Sequence, residues 1–458
     1  MDKHALRWWA LAVAVLAVLV DMIDNQIVAV ALPTIRRELG TGEAALQWVS
    51  AGYALGFALT LITGGRLGDR HGTKKLFVAG MLVFTGASLV AGLAGHVGVL
   101  VAARGVQGVG SGLMVPQVLS FIHAEFGERE RPKAMTWYAG AFPVGGLAGP
   151  LLGGALTEAD LFGTGWRAIF LVNVPIGVLA LLGALGTMAS RPGSAGHHTD
   201  PVGLALLTAA SAAVFFPLVQ GRELGWPMWT VALLVAAVPL FGLFVLHQRF
   251  QFRRGGEPLV PPDLLRRLAR GQGVLFCVTT ATGVFFVLTL HLQLGLGFTP
   301  WEAALTFAPS TLGIVVGNVL AMRLAPRFGR AFTAGAVGVL LAGLVAIAFL
   351  VGDPALRGWA LLVPVVAVGL GMGAVLNALF AASMAEVPPD QAGAASGVVN
   401  TTVQLGTATG IALAGTVFFA RLGSGSGPAT AGALTVSAGV LVLALILLVN
   451  RIRQPADV

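Results

Sequence analysis

Two acidic side chains interrupt an apolar stretch near the start of the chain. Asp21 and Asp24 lie three residues apart between Leu19 and Pro33, so a helix would place both carboxyl groups on one face. An ionised carboxylate is unfavourable in hydrocarbon, and these side chains must therefore face protein or water rather than lipid. Such acids either bind and release protons or hold a neighbouring helix through hydrogen bonds, and both interpretations stay open.

A single basic residue, Arg104, lies well inside another apolar stretch. Arginine is always charged, so it needs a counter-charge in the membrane. With a rise of about 1.5 Å per residue, Asp24 and Arg104 would lie at similar depths in the first and fourth stretches. We therefore expect Asp24 to pair with Arg104, with Asp21 deeper as an accessory acid. A carboxyl balanced between desolvation and a nearby guanidinium can exchange a proton as water access changes, which is the chemistry of proton coupling.

The composition is that of a membrane protein. The chain has 458 residues, of which 56% are hydrophobic and 10% are charged, whereas soluble domains carry about 25% charged residues. The single cysteine, Cys277, excludes a disulfide framework and a cysteine-based metal site. Phosphate-loop, zinc-hydrolase and nucleophile-elbow patterns do not occur, so we expect no catalytic residues, no metal and no cofactor. The net charge of +8 does not indicate nucleic-acid binding, because the basic residues lie in short loops between apolar stretches.

Fourteen apolar stretches are long enough to cross about 30 Å of hydrocarbon as helices. They are predicted near residues 8–32, 46–65, 75–95, 98–122, 133–157, 166–188, 200–220, 229–248, 272–295, 302–322, 331–351, 358–383, 392–419 and 431–450. An even number of spans places both chain ends on one side. Most of the 28 Lys and Arg residues fall in the loops of that side, so the positive-inside rule predicts that both termini are cytoplasmic. Tryptophans at the predicted outer ends, Trp166 among them, are interpreted as interface anchors.

The sequence contains an internal repeat. Residues 66–72 and 323–329 share Arg, Leu, Arg and Gly at a constant offset of 257 residues. Each copy follows the second helix of a six-helix half if the seventh and eighth spans are an insertion. We therefore predict an amino-terminal half at 1–190, two inserted helices and a basic cytoplasmic linker at 191–270, and a carboxyl-terminal half at 271–458. Such a duplication is typical of transporters that bind substrate near the membrane midplane.

Three further groups of residues are candidates for functional roles. In the loop between the second and third spans, glycines permit a tight turn while basic side chains remain at the surface; this loop motif contains Gly65, Asp69, Arg70, Gly72 and Lys74. In the fifth span, small residues let helices approach closely and a proline weakens one turn; this motif contains Gly145, Gly149, Pro150, Gly153 and Gly154. Polar or aromatic candidates for a substrate cavity are Gln26, Tyr53, Gln107, Phe142, Asn318, Asn377, Asn400 and Gln404.

As a set, these motifs resemble those of the major facilitator superfamily, and specifically of its fourteen-helix drug:proton antiporter family. Asp24 stands in the family's first-helix motif, and the loop motif matches that between helices two and three. Arg104 and Gln107 stand in its fourth-helix proton-transfer motif, and the glycines of the fifth span match its antiporter motif. A sixth-helix signature is matched at Trp166, Arg167 and Asn173, among other positions.

The resemblance implies an all-α membrane protein with the major facilitator fold that exports amphipathic small molecules in exchange for protons. It further implies a monomer in the bacterial inner membrane. Asp21 is an addition to the family motif, and the thirteenth span lacks the acid with which some members bind dications. Alternatives are an exporter of a lipid or a self-produced antibiotic on the same fold, and a non-transporting membrane receptor or scaffold. A receptor or scaffold would not explain why Asp24 and Arg104 lie inside the membrane.

Overall fold

The computed structural model describes residues 3–160, 163–190, 193, 200–385, 387 and 392–449. Within these ranges the chain forms helices and turns, and no β-strand occurs. The α-helices are α1 (Lys3–Leu39), α2 (Glu43–His71), α3 (Thr73–Gly92), α4 (Val97–Glu125), α5 (Arg131–Ala159), α6 (Ala168–Leu171), α7 (Asn173–Thr187), α8 (Pro201–Gln220), α9 (Met228–Arg253), α10 (Pro262–Ala281), α11 (Val284–Leu290), α12 (Pro300–Phe328), α13 (Arg330–Leu350), α14 (Leu362–Ala385), α15 (Ala392–Arg421) and α16 (Ser426–Val449).

The described ranges contain fourteen candidate membrane spans, and these coincide with the fourteen predicted from hydropathy. The expected fold class, an all-helical membrane protein, is therefore confirmed. The first span is longer than predicted, because α1 continues through Pro33 and its last turn carries Arg36 and Arg37. The extreme carboxyl terminus and most of residues 191–199, which the charge pattern places on the cytoplasmic side, lie outside the described residues.

Two of the spans are interrupted. The sixth consists of a 3-10 turn at Gly165–Arg167 followed by α6 and α7, with the break at Val172. Pro175 has no backbone N–H with which to bond the carbonyl of Leu171, so the regular hydrogen-bond ladder is interrupted at this break. The ninth span consists of α10, α11 and a π-helical turn at His291–Gly295.

The two copies of the internal repeat occupy equivalent helix junctions. The first copy ends α2, and Gly72 with φ 99° leads into α3. The second copy ends α12, and Gly329 with φ 52° leads into α13. Both values lie in the left-handed region that favours glycine, which explains why the repeat retains glycine as its last residue.

The same helix packing recurs in both halves, at an offset of 257 residues on α2 and α12 and of 261 residues on α4 and α14. On α4, a methyl group at Gly108 would lie 2.2 Å from the carbonyl oxygen of Tyr53 on α2. On α14, a methyl group at Gly369 would lie 2.0 Å from the carbonyl oxygen of Ser310 on α12. Tyr53 and Ser310 are also 257 residues apart. Four residues before these glycines stand Arg104 in the first copy and Val365 in the second, so the buried base belongs to the first half only.

The chain divides into two compact units, each with its own apolar core. One comprises Met1–Ala213 and Leu234–Pro262, and its core includes Phe77, Phe84 and Met114. The other comprises Val214–Leu233 and Asp263–Val458, and its core is built from α10 to α16. The division at residues 190 and 270 stays a prediction.

Candidate functional site

The carboxylate of Asp24 is completely buried and accepts hydrogen bonds from three side chains. Its Oδ2 atom forms an ion pair with Nη1 of Arg104 on α4. Its Oδ1 atom accepts from Nδ2 of Asn173 on α7 at 2.6 Å and from Nε2 of Gln107 on α4 at 3.2 Å. Both oxygens are thus engaged, and one of their partners carries a full positive charge.

Arg104 is also buried, with 1% of its surface exposed. Nε donates to the carbonyl oxygen of Val49 at 3.1 Å, and Nη1 donates to Oε1 of Gln107 at 3.0 Å. The guanidinium carbon lies 4.3 Å from the ring centroid of Tyr53 and 5.7 Å from that of Phe170. The two aromatic rings exclude water from the guanidinium, and their π faces attract its positive charge. Both effects hold the ion pair in one geometry.

Asp21 is buried as deeply as Asp24 but has fewer partners. Its Oδ1 atom accepts a hydrogen bond from the Tyr53 hydroxyl. That hydroxyl also lies 2.8 Å from Oγ of Ser111 on α4, so carboxyl, phenol and serine form a chain. Oδ2 of Asp21 has no hydrogen-bond partner among the described residues. The two acids therefore share a helix face but differ in the groups that stabilise their charge.

Close contact between α2 and α4 brings these partners together. A methyl group at Gly56 would lie 2.4 Å from the carbonyl oxygen of Gly105, and one at Gly64 would lie 2.2 Å from that of Gly112. Only glycine lets the two backbones approach this closely. The approach places the Tyr53 hydroxyl beside Ser111 and the Val49 carbonyl beside Arg104.

The glycine motif of the fifth span packs against the acidic segment of α1. Methyl groups at Gly145 and Gly149 would lie 2.5 Å and 2.6 Å from the Cβ atoms of Met22 and Gln26. One at Gly153 would lie 2.7 Å from the carbonyl oxygen of Ile27, and Gly154 is buried as well. The helix is continuous through Pro150. The close packing predicted for this motif thus occurs, and its partner is the segment of α1 that carries Asp24.

The loop motif is folded into the helix junction rather than forming a free loop. Gly65, Asp69 and Arg70 belong to the last turns of α2, where Asp69 and Arg70 are exposed. Lys74, which was expected at the surface, is partly exposed and bonded to the end of α7. Its Nζ atom donates at 2.8 Å to the carbonyl oxygens of Leu185 and Met188 at the end of α7. Helix carboxyl termini attract cations because their last carbonyls lack partners in the helix.

Arg66 in the same segment contacts the chain that follows α9. Its guanidinium donates to the carbonyl oxygens of Glu257, Pro258 and Leu259, at 3.1 Å for the first and 3.2 Å for the last. These residues belong to the first compact unit. The start of the predicted basic linker is therefore attached to the end of α2.

A third buried carboxylate supports this attachment. Asp200, which precedes α8, accepts hydrogen bonds from the Gly203 amide at 2.8 Å and from His247 and Gln248 at 2.9 Å. Gln248 in turn accepts from the Val260 amide at 3.0 Å. Burial raises the pKa of Asp200, but the three donors outweigh it and hold that pKa below its usual range. The cluster thus joins α8, α9 and the linker.

The predicted cavity residues occupy different environments. Tyr53 and Gln107 are fully buried and bonded within the acidic cluster. Gln26 and Phe142 are exposed. The remaining four amides, which are half-buried, are Asn318, Asn377, Asn400 and Gln404. Asn400 donates to the carbonyl oxygen of Ser396 at 2.9 Å within α15.

Sequence reasoning missed four contributors to these clusters. Asn173 was assigned to a sixth-helix signature without a partner, yet it makes the shorter of the two amide hydrogen bonds to Asp24. Ser88, whose Oγ accepts from Nε2 of Gln107 at 2.7 Å, and Ser111 are small polar residues in apolar helices, which carry no signal of their own. The approach of His247 to Asp200 depends on the pairing of α8 with α9, which the sequence does not specify.

Trp166 is not an interface anchor, which corrects the expectation from the sequence. It is completely buried, and its indole N–H donates to Glu38 at 2.9 Å. Arg167 pairs with the same carboxylate at 3.0 Å. The reason is that Glu38, at the end of α1, offers an acceptor that draws the indole inward.

His291 is a further buried polar residue. It begins the π-helical turn, is 1% exposed, and neither ring nitrogen has a hydrogen-bond partner among the described residues. No group of three His, Cys, Asp or Glu side chains suited to hold a metal ion occurs within the described part of the chain.

Comparison with known proteins identifies the same family that the sequence motifs resemble. Residues 14–411 match the Major Facilitator Superfamily. A probable actinorhodin transporter from Streptomyces coelicolor is 41% identical over 92% of this chain and 74% of its own length. The puromycin resistance protein pur8 from Streptomyces alboniger is 35% identical over 90% of this chain and 82% of its own length. Among solved structures, the POT family transporter PepTSo is similar with a TM-score of 0.73, 16% identity and coverage of 98% and 99% of the two chains.

The fold, the fourteen spans and the buried ion pair define a multi-pass membrane transporter rather than an enzyme. The chain belongs to the Major Facilitator Superfamily. Its relatives in that superfamily include proteins named for antibiotic export and resistance.

Proposed function

We propose that this protein is a proton-coupled exporter of amphipathic small molecules that works by alternating access. Protons would enter as substrate leaves, and the proton-coupling residues would be Asp21, Asp24 and Arg104. The observation that carries the proposal is the burial of two carboxyl groups and one guanidinium in the interior of an otherwise apolar unit. Ionisable groups in such a position are unfavourable for stability, so their presence indicates a functional role.

The geometry supports coupling because one carboxyl group can change its charge while the ion pair between Asp24 and Arg104 stays in place. Arg104 cannot lose its proton at any physiological pH, so any change of charge must occur on a carboxyl group. Asp21 and Asp24 are on one face of α1, and the hydrogen-bonded hydroxyls of Tyr53 and Ser111 continue from Asp21. Movements that admit water to one side of this cluster would change the relative stability of its protonation states.

The substrate we propose is an antibiotic-like molecule. The relatives include a cephamycin export protein from Amycolatopsis lactamdurans, 35% identical, and a tetracenomycin C resistance and export protein from Streptomyces glaucescens, 31% identical. These names favour the alternative in which the exported compound is a self-produced antibiotic. A deletion strain that accumulates such a compound inside the cell would distinguish this role from general multidrug export.

Transport can be tested with the purified chain in proteoliposomes. Vesicles that are acidic inside should accumulate puromycin, actinorhodin or tetracenomycin C, because protons leave as substrate enters. A protonophore or the variant Asp24→Asn should abolish this accumulation. Glu128→Gln, at an exposed position, should leave it unchanged. If a pH gradient drives none of the three compounds, the proposal is wrong. If Asp24→Asn retains gradient-driven accumulation, Asp24 is not required for coupling.

A non-transporting receptor or scaffold is the contrasting outcome. Such a protein would bind one of these compounds without any flux. We also propose that the protein is a monomer in the cytoplasmic membrane with both termini inside, because the basic loops predict that orientation. Cysteine accessibility labelling at Lys75, an exposed residue in the first turn of α3, tests the orientation.

A further inference from the structure

We infer that Asp21, rather than Asp24, is the carboxyl group that binds and releases the proton, and that Asp24 stays ionised as the counter-ion of Arg104. This inference rests on the proposed proton coupling and assigns the two acids different roles within it. It reverses the order expected from the sequence, in which Asp24 was the primary acid.

The donors around Asp24 favour its ionised form. Asn173 and Gln107 both donate to Oδ1, and Arg104 donates to Oδ2. A protonated carboxyl would present an O–H group toward one of these N–H donors and lose an acceptor. It would also leave the buried guanidinium of Arg104 without a counter-charge, which is strongly unfavourable. Proton binding at Asp24 would therefore disrupt the whole cluster.

The surroundings of Asp21 favour a neutral carboxyl. The groups that stabilise its charge are two neutral hydroxyls, those of Tyr53 and Ser111, and Oδ2 has no hydrogen-bond partner in the described structure. The side chain is fully buried, so water does not stabilise its charge in this conformation. The negative charge of Asp24, one helical turn away, further disfavours a second negative charge. Because Arg104 is already paired with Asp24, its attraction for Asp21 is largely neutralised.

The titratable and charged groups that act on Asp21 come from each helix packed against it. They are Asp24 on its own helix, Tyr53 on α2, Arg104 on α4 and Tyr138 on α5. The described residues of α6 and α7 contribute no titratable side chain. Arg104 is the one cation in this set, and it is shared with Asp24.

Proton exchange at Asp21 needs no chemistry beyond an acid–base step. When water reaches the ionised carboxylate, a hydronium ion transfers a proton to it, which forms an O–H bond on Asp21 and leaves a water molecule. Release reverses this transfer. The Tyr53 hydroxyl donates to the ionised form while Ser111 Oγ lies 2.8 Å away to donate to Tyr53, so the two hydroxyls position the carboxyl in both states. Tyr53 and Ser111 are thus positioning residues.

Infrared spectroscopy of the full-length protein in lipid nanodiscs can identify the protonated acid. A buried, protonated carboxyl group gives a C=O stretching band that is separate from those of exposed acids. We expect this band in the wild-type protein at neutral pH and its complete loss in Asp21→Asn. We expect Tyr53→Phe to move the band to higher frequency, because the carboxyl group loses a hydrogen bond.

Two further variants show which acid carries the proton. Asn173→Leu removes a hydrogen bond from Asp24 alone, so it should leave the band in place, as should the exposed control Glu128→Gln. A band that survives in Asp21→Asn, or that moves in Asn173→Leu but not in Tyr53→Phe, would assign the proton to Asp24. A wild-type spectrum without the band would show that both acids are ionised. Either result overturns the inference.

Transport by Asp21→Asn separates this inference from the proposed function. In proteoliposomes with puromycin as the probe, we expect the variant to lose acceleration by a pH gradient and to keep exchange of labelled for unlabelled puromycin at equal pH. Wild-type protein without gradient-driven transport would contradict the proposed function whatever the spectra show. Gradient-driven transport that persists in Asp21→Asn would contradict the inference alone.

Discussion

Asn173 and Asp24, 149 residues apart in the sequence, are joined by a hydrogen bond of 2.6 Å from the amide of one to the carboxylate of the other. The bond connects α7 to α1 at the position where α1 also meets α4 through Arg104. Asn173 is the first residue of α7, directly after the break in the sixth span. The break thus lies directly before the amide that bonds Oδ1 of Asp24, while Arg104 pairs with Oδ2.

Asn173→Leu removes this donor while keeping a side chain of similar size. Hydrogen bonds to charged groups contribute about 1.5–3 kcal/mol, and we expect the free energy of unfolding to fall by about 1.5 kcal/mol. Unfolding with SDS in mixed micelles measures the change. Asn400→Leu is the matched control, because that amide donates to neutral oxygens of Ser396 within its own helix, and it should cost less. Equal losses in the two variants would contradict a charge-assisted bond at Asn173.

The buried ion pair should show strong coupling between its two residues. Asp24→Asn leaves a buried guanidinium without its counter-charge, and loss of one partner of a buried pair costs about 3–5 kcal/mol. Arg104→Gln leaves Asp24 with its amide donors only and should also destabilise the protein. The double variant removes both charges, so it should be more stable than either single variant. Additive losses in the unfolding free energy would show that the pair is not coupled.

Packing of α5 on α1 can be tested with two alanine substitutions on one helix. A methyl group at Gly149 would lie 2.6 Å from Cβ of Gln26, so Gly149→Ala must displace α1. We expect a lower melting temperature and weaker gradient-driven transport. At Gly146, by contrast, no atom lies within 4 Å of the added methyl group. Gly146→Ala should therefore melt like the wild type or slightly higher, since alanine favours helix. A Gly149→Ala variant with unchanged melting would contradict the contact.

The attachment of the linker should depend on pH through Asp200. Because the folded state lowers the pKa of this carboxyl, its ionised form stabilises the fold above the ordinary aspartate value of about 3.9. The contribution is lost as the pH falls through the lowered value in the folded protein. We therefore expect Asp200→Asn to lower the melting temperature at pH 7 and to have progressively less effect below about pH 4. A difference that grows on acidification would contradict this sign.

The sequence predicts the helices of this protein well because long apolar stretches leave few alternatives. It also predicts the proximity of Asp24 and Arg104, since both lie at comparable depth and an unpaired charge in hydrocarbon is unfavourable. The other hydrogen bonds to Asp24 and Asp21 depend on how the helices are rotated against one another, which the sequence does not specify. Neither the role of Asn173 nor that of Ser111 follows from spacing along the chain.

One error and one missed contact have the same physical origin. Trp166 was expected at the membrane interface and Lys74 at the surface, with no partner on α7 foreseen, because each residue type favours that location on average. In the structure, Lys74 bonds the last carbonyls of α7, and Trp166 bonds Glu38 at the end of α1. Helix ends carry unsatisfied backbone or acidic groups, and the positions of those groups are known only once the helices are packed.

The cluster of Asp21, Asp24 and Arg104 contains one guanidinium for two carboxyl groups, and the second half has Val365 at the position equivalent to Arg104. With Asp21 neutral, the charges of this cluster sum to zero, and with Asp21 ionised they sum to one negative charge. The two states therefore respond differently to a transmembrane voltage, which acts with up to about 2.3 kcal/mol per 100 mV on a charge that crosses the whole bilayer. If Asp21 binds the proton as proposed, we therefore expect the transport rate to depend on the membrane voltage.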